Sequence, residues 1–304
     1  MFIEEHLRDL RQRHYSPRAW LAYARAVGAH VRAELLANPS AVRSIWTAAI
    51  AYFAVAFAAA FVMSLVYDRD LAYHFFSGTA LWMGVAFTMV TLFVGLLRDE
   101  SGYRLAALNV PILLTLARVS LIPGICLFLL ERHFMMALVT YLLAALSDVF
   151  DGFLARRWRQ VTRLGTVMDP MIDVVFSITM LSGLTAAELL PRWVFWVGAA
   201  RYTILVVGGA WLYVVIGPVR IRSTSFGRAT GVVMTSLIAI YTLLWALRSD
   251  VAMGLTRLTE IALGSLLVAT TVQIVLVGWY NLRVMTGAIP EHVRDVEDAR
   301  WRSR

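Results

Sequence analysis

The chain has 304 residues, 60% of them hydrophobic, a net charge of +8, and 28 basic residues that are all arginine. A soluble domain is nearer half apolar; here the surplus is gathered into long runs, so the chain reads as an integral membrane protein. In such a chain arginine marks cytoplasmic loops rather than a nucleic-acid surface, and a single cysteine, Cys126, excludes an intramolecular disulfide.

The N-terminus, "MFIEEHLRDLRQRHYS", is polar and lacks the basic-then-apolar layout of a cleaved signal peptide. Residues 1–44 form a separate unit in which apolar and basic positions interleave at helical spacing ("AWLAYARAVGAHVRAELL"). It is a helix lying on the anionic inner leaflet, or a solvated lead-in. Beyond it the sequence predicts eight apolar runs of the ~20 residues a spanning helix needs: about 45–66, 78–97, 109–130, 134–150, 166–187, 192–216, 229–247 and 258–281. Pro111, Pro123 and Pro170 start or interrupt helices, which a membrane bundle tolerates. Arginine is concentrated in alternate connections: the N-terminal segment, the loop with Arg98 and Arg104, the turn Arg156–Arg163, the loop with Arg220, Arg222 and Arg228, and the basic tail 286–304. The other connections hold few, so eight spans place both termini and every arginine-rich loop on one side, taken as cytoplasmic, with residues 68–77 and 248–257 outside.

Four carboxylates stand in the oily stretch "LSDVFDGFLARRWRQVTRLGTVMDPMIDVVF": Asp148, Asp151, Asp169 and Asp173. An intramembrane carboxylate is expensive and points to function. Asp148 and Asp151, three apart, share one helix face, as do Asp169 and Asp173, four apart. Two helices joined by the basic turn "RRWRQVTR" are expected to be antiparallel neighbours with both pairs facing each other just inside the interface. Four such charges need compensation. Mg²⁺ or Mn²⁺, which prefer oxygen ligands, would supply it, and two ions make the usual clamp for displacement at phosphorus. Gly152, Ala155 and Gly165 leave room beside them, and neighbouring arginines suit phosphate. The bland alternative is a set of aspartates capping helices in solvent.

"DVFDGFLARRWRQVTRLGTVMDPMID" resembles the signature of the CDP-alcohol phosphotransferase family, D-x2-D-G-x2-A-R-x8-G-x3-D-x3-D, at every fixed position: Asp148, Asp151, Gly152, Ala155, Arg156, Gly165, Asp169 and Asp173. "NVPILLTLARVSLIPG" is similar to that family's opening helix at Asn109, Pro111, Thr115 and Arg118, with Ile112 where a second asparagine is usual. "STSFGRATG" is similar to its S-x-x-G-K-x-x-T element, with Arg228 for the lysine. The resemblance implies an all-α polytopic membrane helix bundle, with a six-helix core over 106–285 preceded by two additional transmembrane helices within 45–105.

The resemblance also implies a reaction: transfer of a phosphatidyl group from CDP-diacylglycerol to an alcohol with release of CMP. Asp148, Asp151 and Asp169 would bind metal on the donor pyrophosphate. Asp173 would complete the second metal site and take the acceptor proton. Gly152, Ala155 and Gly165 would make space for the nucleotide, with Thr115 and Arg156 contacting it. The motifs look like phosphatidylglycerophosphate synthases and their cardiolipin-synthase relatives. Glycerol 3-phosphate is the favoured acceptor, and a cardiolipin-synthase-type or inositol-phosphate-type acceptor the alternative. The former usually carry two arginines eight apart in the next helix; "RYTILVVGG" keeps Arg201 but has Tyr202 and Gly209 at the other positions, and Val174 stands where many relatives have lysine. Arg118, Arg201, Arg220, Arg222 and Arg228 are left as acceptor-binding candidates. A homodimer in a bacterial inner membrane, with the site on the cytoplasmic side, is expected on the same ground. A transporter, or a non-catalytic lipid-binding relative, is the reading from a different class.

Overall fold

A computed structural model describes residues 16–215, 225–247 and 250–285, the side chains of 225–228, 250–253, 281, 284 and 285 excepted. Among these residues the chain is helical apart from turns and two isolated bridges, Arg98–Arg104 and Asp99–Thr162. The elements are α1 (Pro17–Ala37), α2 (Pro39–Val66), α3 (Arg69–Leu92), a short 3-10 turn (Val94–Leu96), α4 (Val110–Leu130), α5 (Phe134–Arg157), α6 (Arg163–Ala186), α7 (Arg192–Val215), α8 (Ser225–Leu247) and α9 (Asp250–Met285). Each of α2 to α9 contains a stretch long and apolar enough to cross a bilayer, giving the expected all-α polytopic bundle with two helices ahead of a six-helix core.

Local chemistry sets the helix ends. Ser16, Asn38, Asp68, Asn109 and Thr162 each place a side-chain oxygen on a free N–H of the helix that follows. The Asp68 cap corrects one expectation. Its Oδ2 accepts from Asp70 N and Leu71 N at 3.1 and 3.3 Å, so α3 begins at Arg69 and 69–77 is helix rather than an external loop. The span thus runs 69–92 instead of 78–97, because a capping carboxylate starts a helix before its apolar run begins.

Two apolar clusters hold the bundle. One joins α4–α9 around Tyr141, Met180, Leu184, Tyr241, Leu263 and Leu267. The other seats α2 and α3 on α4 through Ile45, Met83, Phe87, Ile112 and Leu116, with Leu164 of α6. Pro123 lies within α4 and has no N–H, which releases the carbonyl of Val119 four residues back. Trp82 of α3 donates its Nε1–H to that carbonyl at 3.1 Å. Nearby, a methyl group on Gly124 would lie 2.9 Å from the Phe75 ring, and Phe75 stacks on Phe128. The additional helices are therefore bonded to the core and not merely adjacent to it.

Candidate active site

Asp148 and Asp151 lie in the last turns of α5, and Asp169 and Asp173 in the second and third turns of α6. The two helices are neighbours: each packs its backbone mainly against α4, and they meet through the stacked rings of Tyr141 and Phe176, 5.4 Å between centroids. Four carboxylates on abutting backbones would repel at close range, and α4 brings the counter-charge that lets them share one site.

That counter-charge is Arg118, whose side chain is 2% exposed. Its Nη1 donates to Asp148 Oδ1 and, at 3.0 Å, to Asp173 Oδ1, so one nitrogen ties α5 to α6. One turn earlier, the buried Thr115 hydroxyl lies 2.9 Å from Asp151 Oδ2 and 3.0 Å from the Pro111 carbonyl, either of which can take its proton. Asp151 is buried, whereas Asp148, Asp169 and Asp173 are exposed. The site is one carboxylate held inside and three at an opening. Nε and Nη2 of Arg118 are buried without a hydrogen-bond partner. A buried guanidinium with two idle nitrogens stands ready for another acceptor.

The donors fit Mg²⁺ or Mn²⁺: they are hard oxygens, and one arginine leaves three of the four negative charges unmatched. Among the described residues no three acidic side chains already converge on one point; Asp148 and Asp173 are turned onto Arg118 instead. Beside them, the Arg156 guanidinium folds back over Gly152, so a methyl there would lie 3.3 Å from Nη1. Ala155 is half-buried. The amide of Gly165 donates to Thr162 Oγ1 at 3.0 Å, which squares the start of α6 on the basic turn. Arg201, in α7, has its guanidinium 4.6 Å over the Tyr202 ring and a buried, unbonded Nε. It lies three residues before a π-helical turn, Ile204–Gly208, a distortion frequent at functional sites. Arg220 and Arg222 lie outside the described residues, as does the side chain of Arg228.

Sequence reasoning missed the second layer. Asn109 Nδ2 donates to Gln160 O at 2.7 Å, and Arg163 N donates to Arg98 O. The segment before α4 is thereby fastened to the turn before α6. Glu34 of α1, nearly buried, takes Arg98 Nη2 at 2.9 Å and Arg104 Nη2 and Nε at 3.0 and 3.2 Å. The signal was present: Glu34 is the only acid between Asp9 and Asp68.

The sequence profile of the CDP-alcohol phosphatidyltransferases matches residues 108–282, the whole of the stretch from the cap of α4 into α9. The chain belongs to this family. The additional helices α1 to α3 lie outside the match. Among similar family members is a CDP-diacylglycerol--glycerol-3-phosphate 3-phosphatidyltransferase of Aquifex aeolicus, 40% identical over 107 residues, 34% of this chain and 60% of that one. Another is a cardiolipin synthase (CMP-forming) of Streptomyces coelicolor, 37% identical over 106 residues, 33% and 49% of the two chains. A third, named like the first, is from Pectobacterium atrosepticum, 32% identical over 149 residues, 45% and 77%. The chain thus spans about half to three fifths of the first two relatives. No solved structure matches it.

Proposed function

We propose that this family member transfers a phosphatidyl group from CDP-diacylglycerol to an alcohol, glycerol 3-phosphate being the favoured acceptor, and releases CMP. The observation that carries the reading is the buried Arg118 joining Asp148 to Asp173, with Asp151 set on Thr115 beside it. In the reaction the acceptor hydroxyl oxygen bonds to the phosphorus that carries the diacylglycerol, the bond from that phosphorus to CMP breaks, and the hydroxyl proton goes to Asp173, a base at the site's opening. Arg118 orients Asp173 and offers its idle nitrogens to phosphate oxygen. Arg156, lying over Gly152, is placed to meet the nucleotide. Mg²⁺ or Mn²⁺ held by Asp148, Asp151, Asp169 and Asp173 would supply neutralisation of the pyrophosphate charge.

A second acceptor reading has its own support. Gly209 replaces an arginine usual for a phosphorylated acceptor, and Arg201 spends one face of its guanidinium on Tyr202. A less basic pocket favours a lipid alcohol, as a cardiolipin-synthase-type reaction needs. A transporter reading has only the span count behind it. The setting we propose is the bacterial cytoplasmic membrane, with the site on the cytoplasmic side and the enzyme a homodimer.

The test is CMP release by the purified chain from CDP-diacylglycerol, with glycerol 3-phosphate, phosphatidylglycerol and inositol phosphate offered separately and the lipid product identified. The expected result is CMP and phosphatidylglycerophosphate with glycerol 3-phosphate, abolished by excess EDTA and restored by Mg²⁺ or Mn²⁺. CMP only with phosphatidylglycerol selects the second acceptor, and CMP with none overturns the enzyme reading.

A further inference from the structure

α2 and the chain entering α4 enclose a groove of about 660 Å³, within the range of pockets that hold small ligands. It is not the catalytic site. Leu113 lines it, and at about 100° per residue Leu113 points about 200° around α4 from Thr115, which reaches Asp151. Its wall changes character along α2. Arg43, Ser44 and Thr47 line the first turns, and Ala48, Ala51 and Val55 the deeper ones, with Leu108 and Leu113 opposite. From Ser44 to Val55 is about 16 Å of helix rise, close to the ~15 Å hydrocarbon depth of one leaflet.

The polar end lies at the arginine-rich end of the bundle. Asn38 Nδ2 donates to Leu105 O at 2.9 Å, and Leu108 N to Ser44 Oγ at 3.1 Å, so this rim adjoins the Arg98–Arg104 segment. Arg43 is exposed, and no described carboxylate pairs with it. Ser44 accepts from Leu108 and keeps its own proton to give. The small side chains of Ala48 and Ala51 leave a channel between α2 and α4, and Tyr52 forms part of its wall, donating to Leu113 O at 2.6 Å.

We infer that this groove holds one anionic phospholipid, with its phosphate on Arg43 and Ser44 and an acyl chain along Ala48, Ala51 and Val55. A cationic rim over an apolar channel one leaflet deep matches that molecule end to end. A free phosphate would leave the channel empty, and a zwitterionic lipid brings a second positive charge to Arg43. The site is independent of the transfer reaction proposed above. It makes a bound lipid part of the joint between the additional helices and the core.

The test is native mass spectrometry of the full chain from micelles doped with phosphatidylglycerol or phosphatidylcholine, with EDTA throughout so that metal-dependent donor binding does not contribute. The expected result is preferential retention of one phosphatidylglycerol. Arg43→Gln should weaken half-saturation about fivefold, the contribution of one arginine near an anionic surface. Arg43→Lys should keep it, and Ala51→Trp, which fills the channel, should abolish it. Arg43 is exposed, so its substitution tests the site even if Ala51→Trp fails to fold. Equal retention by Arg43→Gln, equal retention of phosphatidylcholine, stabilisation by inorganic phosphate in place of lipid, or a dimer seated on this face without lipid would each overturn the inference.

Discussion

At the scale of residues, the site is governed by one arginine serving two carboxylates. Arg118 Nη1 contacts both Asp148 and Asp173, so changing either aspartate to asparagine loosens the same anchor, and the difference between the two variants reports what else each does. Asp173→Asn keeps shape and one ligand oxygen but removes the proposed base. Turnover should fall ~10²–10⁴-fold, with affinity for CDP-diacylglycerol in Mg²⁺ largely kept. Asp148→Asn should lose donor affinity along with rate. Donor binding by calorimetry beside turnover checks this; equal losses of affinity would remove the division of labour. The aspartates were legible in the sequence because four charges at fixed spacing in an apolar run have few explanations. The partner that binds them was not. Arg118 stands out in sequence as an acceptor-binding candidate, and only the packing of α4 against both α5 and α6 shows it as the partner of the carboxylates.

At the scale of elements, α1 is fastened to the start of α6 by a short chain of contacts. Glu34 grips Arg98 and Arg104, the Arg98 carbonyl takes the amide of Arg163, and Arg163 opens the helix that carries Asp169 and Asp173. The Arg104 hydrogen bond holds the Glu34 carboxyl below its ordinary range, helped by the charges of Arg98, Arg104 and His30 and opposed by burial. A carboxylate with a depressed pKa in the fold stabilises it fully above the unfolded value, about 4.3, and that contribution is lost as pH falls through the folded value. Glu34→Gln should therefore lower thermal stability at pH 7, by about 1 kcal/mol, between the limits for exposed and buried pairs. The gap between variant and parent should close as pH is lowered past 4. A melting series in detergent from pH 7 to 3.5 decides it, and a constant gap would show that Glu34 acts by packing alone. Eight spans could be read from run length, since the bilayer dictates that length. The latch could be read only in part: the lone glutamate marks itself among its neighbours, but nothing in the sequence names Arg98 and Arg104 as its partners.

At the scale of the whole molecule, two arginine-rich connections among the described residues share one end. Hydrogen bonds join the Arg98–Arg104 segment to the turn 160–163 directly, and the site opens beside them. The far end is reached along α4, whose 21 residues rise about 31 Å, enough to cross the hydrocarbon. Ser101 and Glu131, both exposed, flank that helix on opposite sides of the bilayer. In the orientation proposed from the arginine asymmetry the Ser101 side faces the cytoplasm, where a soluble acceptor and departing CMP would also be found. The half-buried Cys126 is first replaced by serine to remove background. Ser101→Cys should then react with a membrane-impermeant maleimide in inside-out vesicles and not in right-side-out ones, and Glu131→Cys should show the reverse. Labelling of Ser101→Cys from the outside would invert the molecule and put the site on the wrong face for a cytoplasmic acceptor. Labelling of both positions from one side would break the span count between them, and with it the reading of α4 as a helix that crosses.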